Sequence, residues 1–414
     1  MINPEPRLNV VFVTPWYPTA DNVYFAVFVR EYAQAVQKFC NVVVLNIGVA
    51  DPRLKTAWSV EEETDSSLTA GIPCYRVTFR GTKANLRSIP QRAMGVIQAL
   101  NSLRKAHGSI DIVHSHIYIS SLFSTMIAGW LKVPHVISEH FSAIQRKELS
   151  ACDARLLRWS FQRADAVLPV SQTMQQAIKD YGVQASFRVV PNTVSSDLFY
   201  HEPHHGAPGD KVRVLAVSSL IELKGIPVLL RALAELPQPR RWHLDLVGDG
   251  PDRTQTMRLA DQLGLGAHVT FHGALTKPEV AHQMRNADLF VLPSLTETFS
   301  VATAEALCAG VPVLVTRCGG PEEFVDEQCG MLVSPGDVQA LADGLNSMLN
   351  RLNTFDREAI SRAAAAKFRH EAVGSKLNGV YHELIAARAR TRRGSNRISS
   401  RHNRRSWIFG GHFQ

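Results

Sequence analysis

Short apolar segments alternate with amphipathic segments along almost the whole chain, and this alternation runs through the chain twice. The first run starts with the apolar segment 9–14 and continues to 187–190, and the second extends from 212–217 to 311–315. Strands that alternate with helices are typical of parallel sheets whose two faces are covered by helices. A length of 414 residues also exceeds what one ordinary hydrophobic core supports. The sequence therefore predicts an α/β fold with two parallel sheets.

A polar stretch at residues 201–210 separates the two runs; it holds two prolines, two glycines and three histidines and is interpreted as a linker. We therefore predict a first domain over residues 1–198 and a second domain over residues 199–365. A C-terminal helix at about 366–387 is expected to pack back on the first domain, followed by a basic, disordered tail at 388–414. Because ligands bind at the carboxyl ends of parallel strands, the expected architecture is two Rossmann-like domains facing each other across a cleft.

The formal net charge of +8 is concentrated in two blocks. Residues 388–414 hold eight arginines and no acid, and residues 66–110 hold seven Lys or Arg and no acid. Such blocks bind anionic lipid surfaces, nucleic acids or acidic polymers, or they are solvated surface without a partner. Because no nucleic-acid-binding motif accompanies either block, we expect no specific nucleic-acid partner and favour an anionic membrane surface.

Several absences in the sequence favour a cytoplasmic protein. No run of about 18 apolar residues is present that could form a membrane-spanning helix. The N-terminal residues 1–7 lack the charged-then-apolar pattern of a signal peptide. The six cysteines are scattered without a closely spaced pair, which favours reduced thiols over disulfides or a zinc site. We expect a cytoplasmic location, with peripheral attachment to the inner face of the cell membrane.

The segment 144–163 predicts one long helix that combines basic and apolar residues. Its basic residues are Arg146, Lys147, Arg155, Arg158 and Arg163, and its apolar residues are Leu149, Leu156, Leu157, Trp159 and Phe161. Such a face can dock on anionic headgroups and insert apolar side chains at the interface. The alternative is that the apolar stripe packs into the core of the first domain.

Two glutamates, Glu297 and Glu305, lie eight positions apart in the second half of the chain. The first follows an apolar strand, and the second lies in an Ala/Val/Leu-rich segment that predicts a buried helix opening at Ser300 and Val301. A buried carboxylate is costly unless it is paired or hydrogen-bonded. Its partner is either a neighbouring arginine or backbone amide, or a hydroxyl of a bound ligand. The N-terminus of a helix beside it would suit a phosphate, so the segment suggests a nucleotide-sugar site.

This segment resembles the signature of retaining glycosyltransferases of family 4, the bacterial polysaccharide type of group 1 glycosyl transferases, which have the GT-B fold. Their pattern is a glutamate, seven residues and a second glutamate, with a phenylalanine two positions after the first and Ala-Gly-x-Pro-Val following. It maps here onto Glu297, Phe299, Glu305 and residues 309–313. The resemblance covers roughly residues 8–385.

The resemblance implies an enzyme of the hexosyltransferase type that moves a sugar, with retention, from a nucleotide diphosphate sugar to an acceptor hydroxyl. A UDP- or GDP-sugar would be the donor co-substrate, and the acceptor would be a glycan or a lipid-linked molecule. The pathway would be bacterial cell-surface polysaccharide or glycolipid biosynthesis. The resemblance also implies no cofactor and no obligatory metal.

On the donor side, the resemblance implies that Glu297 holds the donor sugar hydroxyls and Glu305 the ribose hydroxyls. Lys224 and the amides near Ser300 and Val301 would stabilise the departing diphosphate. Ser219 stands where the family has an arginine. The remaining donor-side positions are Phe299, the turn glycines Gly248 and Gly250, and His272 and Gly273, whose backbone would meet the nucleobase.

In the first half, the resemblance implies that His140 approaches the transferred sugar from across the cleft, which makes it a catalytic candidate. His116, at the end of another predicted strand, could face the acceptor. Ala26 stands where the family usually has a glycine, close to the diphosphate. Residues 191–193 are interpreted as a structural element of the domain junction. A metal site would need His114 and His116 on one side together with a carboxylate, and none is predicted.

Two other functions fit the same architecture. A nucleotide-sugar epimerase would work without an acceptor, but it would need further acids and bases around the anomeric carbon. A non-catalytic binding subunit is favoured by Ser219 and Ala26. It is opposed by the presence of Glu297, Glu305, Lys224 and His140.

Overall fold

The computed structural model describes residues 7–23, 25–81, 89–203, 211–239 and 241–405. The first sheet has seven strands in the order β3-β4-β2-β1-β5-β6-β7. These strands are β1 (Asn9–Thr14), β2 (Asn41–Asp51), β3 (Trp58–Glu63), β4 (Cys74–Arg80), β5 (Ile112–His116), β6 (His135–Glu139) and β7 (Ala166–Pro169). The pairs are parallel except for β3 with β4, which is antiparallel.

The antiparallel edge is a departure from the predicted, wholly parallel sheet. The ten residues between β3 and β4 are too few for a crossover that would return the chain in the same direction. The predicted strand at 187–190 was also wrong, because Phe187 makes an isolated bridge to Val167 and the segment forms no strand.

The second sheet has six strands, all paired in parallel, in the order β10-β9-β8-β11-β12-β13. They are β8 (Val212–Val217), β9 (Trp242–Val247), β10 (Val269–Gly273), β11 (Leu289–Leu292), β12 (Val313–Thr316) and β13 (Gly330–Val333). The central strands β11 and β12 are fully buried, which explains their continuous apolar sequences. Their carboxyl ends point to the same edge of the sheet.

Helices cover both faces of both sheets. Those of the first half are α1 (Val27–Gln37), α2 (Ser66–Thr69), α3 (Ile89–His107), α4 (Ser121–Leu131), α5 (Ser142–Gln145), α6 (Ala151–Phe161) and α7 (Gln172–Asp180). Those of the second half are α8 (Ile226–Ala234), α9 (Arg253–Gln262), α10 (Lys277–Arg285), α11 (Val301–Cys308), α12 (Val338–Arg351), α13 (Arg357–Phe368) and α14 (His370–Arg405). The two layers of helices around each sheet give the predicted two-domain α/β fold.

The predicted long helix at 144–163 is instead two helices, α5 and α6. The chain breaks at Lys147, which has a φ of 58°, and Ser150 caps α6 by accepting the N–H of Asp153. The apolar stripe faces inward, since Leu157 and Phe161 are fully buried in the core. The stripe therefore packs into the first domain, and the prediction that it forms a membrane-docking face was wrong.

Helix α14 returns from the second domain and packs on α1 and the first sheet. Tyr381 makes a 2.6 Å hydrogen bond with Nδ1 of His114, and Arg388 forms a 2.8 Å ion pair with Asp165. The helix continues to Arg405, where the sequence analysis placed a disordered tail. Ala and Arg are strong helix formers, so the run at 386–390 extends α14 instead of ending it. Residues 406–414 of the predicted tail lie outside the described residues.

Candidate active site

The loops after β8 and β11 bring together the two best donor-site candidates. Nζ of Lys224 donates to Oε1 of Glu297 at 2.7 Å, and the hydroxyl of Ser294 donates to the same oxygen at 2.8 Å. Lys224 ends a short 3-10 turn, Glu222–Lys224, after β8, and β8 pairs directly with β11. Parallel neighbours place their carboxyl-end loops side by side, which is why residues 73 positions apart meet here. The pair is partly accessible to solvent: the side chain of Lys224 is 25% exposed and that of Glu297 is 11% exposed.

The backbone of Glu297 is fixed by the neighbouring loop after β12. Its N–H donates to the carbonyl of Cys318 at 2.7 Å, and its own carbonyl accepts the N–H of Gly320 at 3.0 Å. The carboxylate is therefore held on a rigid double loop at the strand ends. A fixed backbone suits a carboxylate that must hold a bound substrate in a single orientation.

Helix α11 begins beside Glu297, as the sequence predicts. Ser300 is its N-cap, with a φ of 67° and a side chain that accepts the N–H of Thr303. The first N–H groups of an α-helix have no acceptor within the helix and attract anions. Phe299 lies elsewhere than predicted: its ring is buried against Phe324 and Phe368, at 5.1 and 5.5 Å between centroids. It is a core residue that anchors the loop, and its side chain does not face a donor.

The glycine turn after β9 packs against the loop that carries Ser219. A Cβ atom on Gly248, which has a φ of 133°, would lie 1.8 Å from the carbonyl oxygen of Ser218, and one on Gly250 would lie 2.3 Å from that of Leu220. Both positions therefore require glycine for this close approach. The N–H of Gly248 also donates to the carbonyl of Gly273 at 2.8 Å. The structure thus clusters Ser219, Gly248, Gly250 and Gly273.

The side chain of His272 is turned onto the sheet. Its Nε2 lies 2.7 Å from Oδ1 of Asp245, whose other oxygen is 3.6 Å from Arg213. The imidazole is thereby engaged by protein, so a contact of His272 with a base would come from its backbone.

Glu305 is buried on α11 and its partner is Lys277. Oε1 of Glu305 accepts a 2.9 Å hydrogen bond from Nζ of Lys277, the first residue of α10. The same ammonium lies 3.4 Å from Glu31 on α1 of the first domain. Burial raises the pKa of Glu305, and Lys277 partly offsets this effect. The sequence analysis missed Lys277, because its Thr-Lys-Pro-Glu context indicates a helix start and nothing more.

The first domain contributes a stack of buried histidines. His140 follows β6; its Nδ1 lies 2.9 Å from Oδ1 of Asn192, and its Nε2 lies 3.3 Å from Nδ1 of His116. The rings of His116 and His140 stack at 5.6 Å, and His116 stacks on His114 at 4.5 Å. Burial lowers the pKa of His140 to about 3 and lowers that of His116 well below its usual range. All three rings are therefore neutral at physiological pH.

Aromatic residues of α1 surround His140. The rings of Phe28 and Tyr32 lie 4.6 and 5.2 Å from the imidazole. The predicted acceptor-side residue His116 is fully buried, and within the described residues its Nε2 has no hydrogen-bond partner. It supports His140 and does not itself reach a surface where an acceptor could bind.

Glu139 fixes the loop that holds His140, a role that the sequence analysis missed. Its carboxylate accepts the N–H groups of Tyr118, His140 and Phe141, each at 2.8 Å. Burial nevertheless raises its pKa to about 7, and the three N–H donors limit that rise. Asn192, which had been given only a structural role, orients the histidine ring.

Ala26 stands at the N-cap of α1 with a φ of 52°. This left-handed conformation favours glycine, which explains why the family has one at this position. Alanine adopts it at an energetic cost of roughly 1–2 kcal/mol.

Two polar contacts join the domains near these groups. The carboxylate of Glu323 accepts the N–H groups of Gln172 and Thr173, both at 2.8 Å, at the N-terminus of α7. The second contact is that of Lys277 with Glu31.

In the described part of the chain, no group of three or more His, Cys, Asp or Glu side chains is arranged to hold a metal ion. Within the same residues, no helix combines the length and apolar character needed to cross a membrane.

Two family models match the chain over its two domains. "Glycosyltransferase Family 4" matches residues 26–198, and "Glycosyl transferases group 1" matches residues 201–366. An MMP alpha-(1->4)-mannosyltransferase of Mycolicibacterium hassiacum is 28% identical over 70% of this chain and 74% of that protein. A D-inositol 3-phosphate glycosyltransferase of Mycolicibacterium smegmatis is 30% identical over 62% of this chain and 63% of that protein.

Solved structures share the architecture. Sucrose-phosphate synthase from Thermosynechococcus elongatus superposes with a TM-score of 0.71 at 20% identity, covering 92% of this chain and all of that one. Anabaena HepE in complex with UDP gives a TM-score of 0.72 at 19% identity, over 91% of this chain and all of HepE. The two matched domains, the paired glutamates and the shared fold agree: the chain belongs to the group 1 glycosyl transferases, with a family 4 first domain, and is a glycosyltransferase with the GT-B fold.

Proposed function

We propose that this glycosyltransferase moves a sugar, with retention of anomeric configuration, from a nucleotide diphosphate sugar to an acceptor hydroxyl. The observation that carries the proposal is the Lys224–Glu297 pair at adjoining strand ends, beside the N-terminus of α11. A cation next to free helix N–H groups suits a diphosphate, and a rigid carboxylate suits sugar hydroxyls. HepE structures bound to UDP and to UDP-glucose on the same fold support a nucleotide-sugar donor.

In this mechanism Lys224 and the first amides of α11 neutralise the charge that develops on the leaving diphosphate. Glu297 holds the donor sugar, and Glu305 accepts hydrogen bonds from the ribose hydroxyls. With Asn192 oriented as in the structure, Nδ1 of His140 carries the proton and Nε2 accepts from Nδ1 of His116, so these two contacts hold the imidazole in place on the sugar side of the cleft. The donor phosphate takes the acceptor proton, and Lys224 fulfils the role that a metal would have in charge neutralisation.

Nucleoside diphosphate release tests this proposal. Purified protein is incubated with UDP- and GDP-sugars, with and without glycan and lipid-linked acceptors and with a chelator. We expect acceptor-stimulated release that survives chelation and falls in Lys224→Ala and Glu297→Gln. The exposed Lys376→Ala and Glu327→Gln are matched controls. Release without any acceptor product would favour the epimerase alternative, absence of any release would favour the binding-subunit alternative, and proton NMR of the product decides retention.

We further propose a lipid-linked acceptor at the inner face of the cell membrane, reached through the outer surface of α3 and α4. Four large apolar side chains are about half exposed there: Met94, Ile97, Met126 and Trp130. The guanidinium of Arg104 lies 5.8 Å from the Trp130 ring, which joins the two helices. Neither helix contains an acid. Exposed apolar groups among bases complement anionic headgroups, so this α3–α4 surface replaces segment 144–163 as the expected docking face.

Vesicle co-sedimentation tests this surface. The protein should bind vesicles containing phosphatidylglycerol, bind phosphatidylcholine vesicles poorly, and lose binding as salt rises. Trp130→Ser with Met126→Ser should weaken binding, whereas substitution of Met257 on α9, which is 41% exposed, by serine should not. Binding that disappears only when the chain is shortened after Thr391 would place the docking site in the basic C-terminus instead.

A further inference from the structure

A charged cluster connects Glu305, the proposed ribose-binding carboxylate, to the other domain. Its members are Glu305 on α11, Lys277 on α10, Glu31 on α1 and His370 at the start of α14. Lys277 lies between the two carboxylates, 2.9 Å from Glu305 and 3.4 Å from Glu31. Nε2 of His370 lies 2.8 Å from the second oxygen of Glu31. The four residues come from both domains and from the crossover between them.

Three of the four members are almost closed to solvent, whereas the side chain of Lys277 is 25% exposed. The side chains of Glu31 and Glu305 are each 7% exposed and that of His370 is 6% exposed. Nearly all of the charge of Glu305 must therefore be compensated by protein groups and not by water. Within the described residues, Lys277 is the side chain that donates to Glu305.

The two carboxylates respond differently to this environment. Burial raises the pKa of Glu305, opposed by Lys277 and reinforced by Glu31. The pKa of Glu31 is lowered to about 2, because hydrogen bonding to His370 and the charges of Lys277 and Arg30 outweigh its burial. Arg369, next to His370, also lies near α11, where its charge acts on Cys308. Glu31 thus has several partners that favour its charged form, whereas Glu305 has Lys277 as its cationic partner.

We propose that Lys277 is a positioning residue for donor binding: it keeps Glu305 ionised and oriented toward the ribose, and through Glu31 it couples that carboxylate to the closed arrangement of the two domains. This inference rests on the proposed function, since it assumes that Glu305 holds the ribose. It assigns a role to a lysine that lies outside the glutamate signature.

Nucleotide titration by calorimetry tests the first half of the proposal. UDP, GDP and ADP are each titrated into the full-length protein at several values between about pH 6 and about pH 9, and the one that binds is used for the variants. Lys277→Met should weaken binding roughly tenfold or more at the acid end. The deficit should shrink as pH rises, because Glu305 without its cation ionises only at higher pH. Lys277→Arg should bind within about threefold of wild type.

The second half is tested by steady-state kinetics. Glu31→Gln leaves Lys277 with Glu305 and removes the contact across the domains. It should lower kcat roughly threefold to tenfold while the donor KM stays near that of wild type. Matched controls are Lys38→Met, which breaks an ion pair with Glu371, and Glu63→Gln, which breaks one with Arg76. Both controls should leave nucleotide affinity and kcat unchanged.

The outcomes are distinguishable. If no nucleoside diphosphate binds the wild-type protein, the proposed function fails and this inference fails with it. If a nucleotide binds and Lys277→Met matches wild type at every pH, the inference alone is overturned. A deficit that is constant with pH and accompanied by a lower melting temperature would show that Lys277 is merely structural. An unchanged kcat in Glu31→Gln would overturn the coupling to domain closure.

Discussion

The two domains present opposite electrostatic surroundings to the cleft. The second domain offers ion pairs, Lys224 with Glu297 and Lys277 with Glu305. The first domain offers neutral histidines among aromatic rings, with the pKa of His140 lowered to about 3 by burial. A leaving diphosphate carries charge and a sugar does not, so this difference matches the two halves of one donor. We call the second-domain side of the cleft the ionic half and the first-domain side the neutral half. The signature of Glu297 and Glu305 therefore identifies only the ionic half.

The largest effect should come from removing charge in the ionic half. Lys224→Ala deletes the cation that faces Glu297, and a charged hydrogen bond contributes about 1.5–3 kcal/mol. We expect kcat/KM for the donor to fall by roughly tenfold to hundredfold. Initial rates of nucleoside diphosphate release measure this, with the exposed Lys376→Ala as control. Equal rates in the two variants would remove Lys224 from the site.

Acidification should destabilise the neutral half first. A histidine buried with a lowered pKa stabilises the fold above its unfolded value near 6.5, and this stability is lost as pH falls toward the folded value of about 3. Between about pH 6.5 and about pH 5 the loss is roughly 1–2 kcal/mol for such a histidine. Urea unfolding of wild type and His140→Gln measures it, and the variant should show the shallower dependence. Parallel curves would mean that His140 is not held neutral.

The contact of Glu323 with α7 should have a smaller effect. Glu323→Gln removes a negative charge from a helix N-terminus, which is worth about 0.3–1 kcal/mol. We expect a larger radius of gyration by small-angle scattering with nucleotide bound, and a donor KM raised by a few fold. The exposed Glu327→Gln is the control. An unchanged radius would show that other contacts hold the domains together.

Ala26→Gly, in the first domain, should have the smallest effect, and this effect is on the free energy of unfolding. Glycine relieves the left-handed strain at φ 52° but increases the entropy of the unfolded chain. The net change in unfolding free energy should be below about 1 kcal/mol. Chemical denaturation measures it. A loss of several kcal/mol would mean that the methyl group of Ala26 is an essential core contact.

The sequence predicted what depends on periodicity and local signals. The repeated strand–helix alternation correctly indicated two sheets, and Ser300 correctly marked the start of α11. The partner of Glu305 could not be found this way, because Lys277 is 28 positions distant and meets it only through the packing of α10 on α11.

Other features of the site and fold could not be predicted from the sequence for related reasons. The contact of His116 with His140 spans two strands, and its register is set by the whole sheet. Phe299 belongs to the signature but is buried in a cluster with Phe324 and Phe368, which spacing along the chain cannot reveal. The break of 144–163 at Lys147 depends on local backbone geometry that the apolar pattern did not indicate.

The central claim is that the second domain binds the diphosphate of a nucleotide sugar through Lys224. Calorimetric titration of wild type and Lys224→Ala with UDP or GDP, and with the corresponding nucleoside, tests it directly. The account predicts that the variant binds the nucleoside diphosphate roughly tenfold or more weakly and the nucleoside equally well. Equal loss of both ligands, or loss of neither, would contradict it.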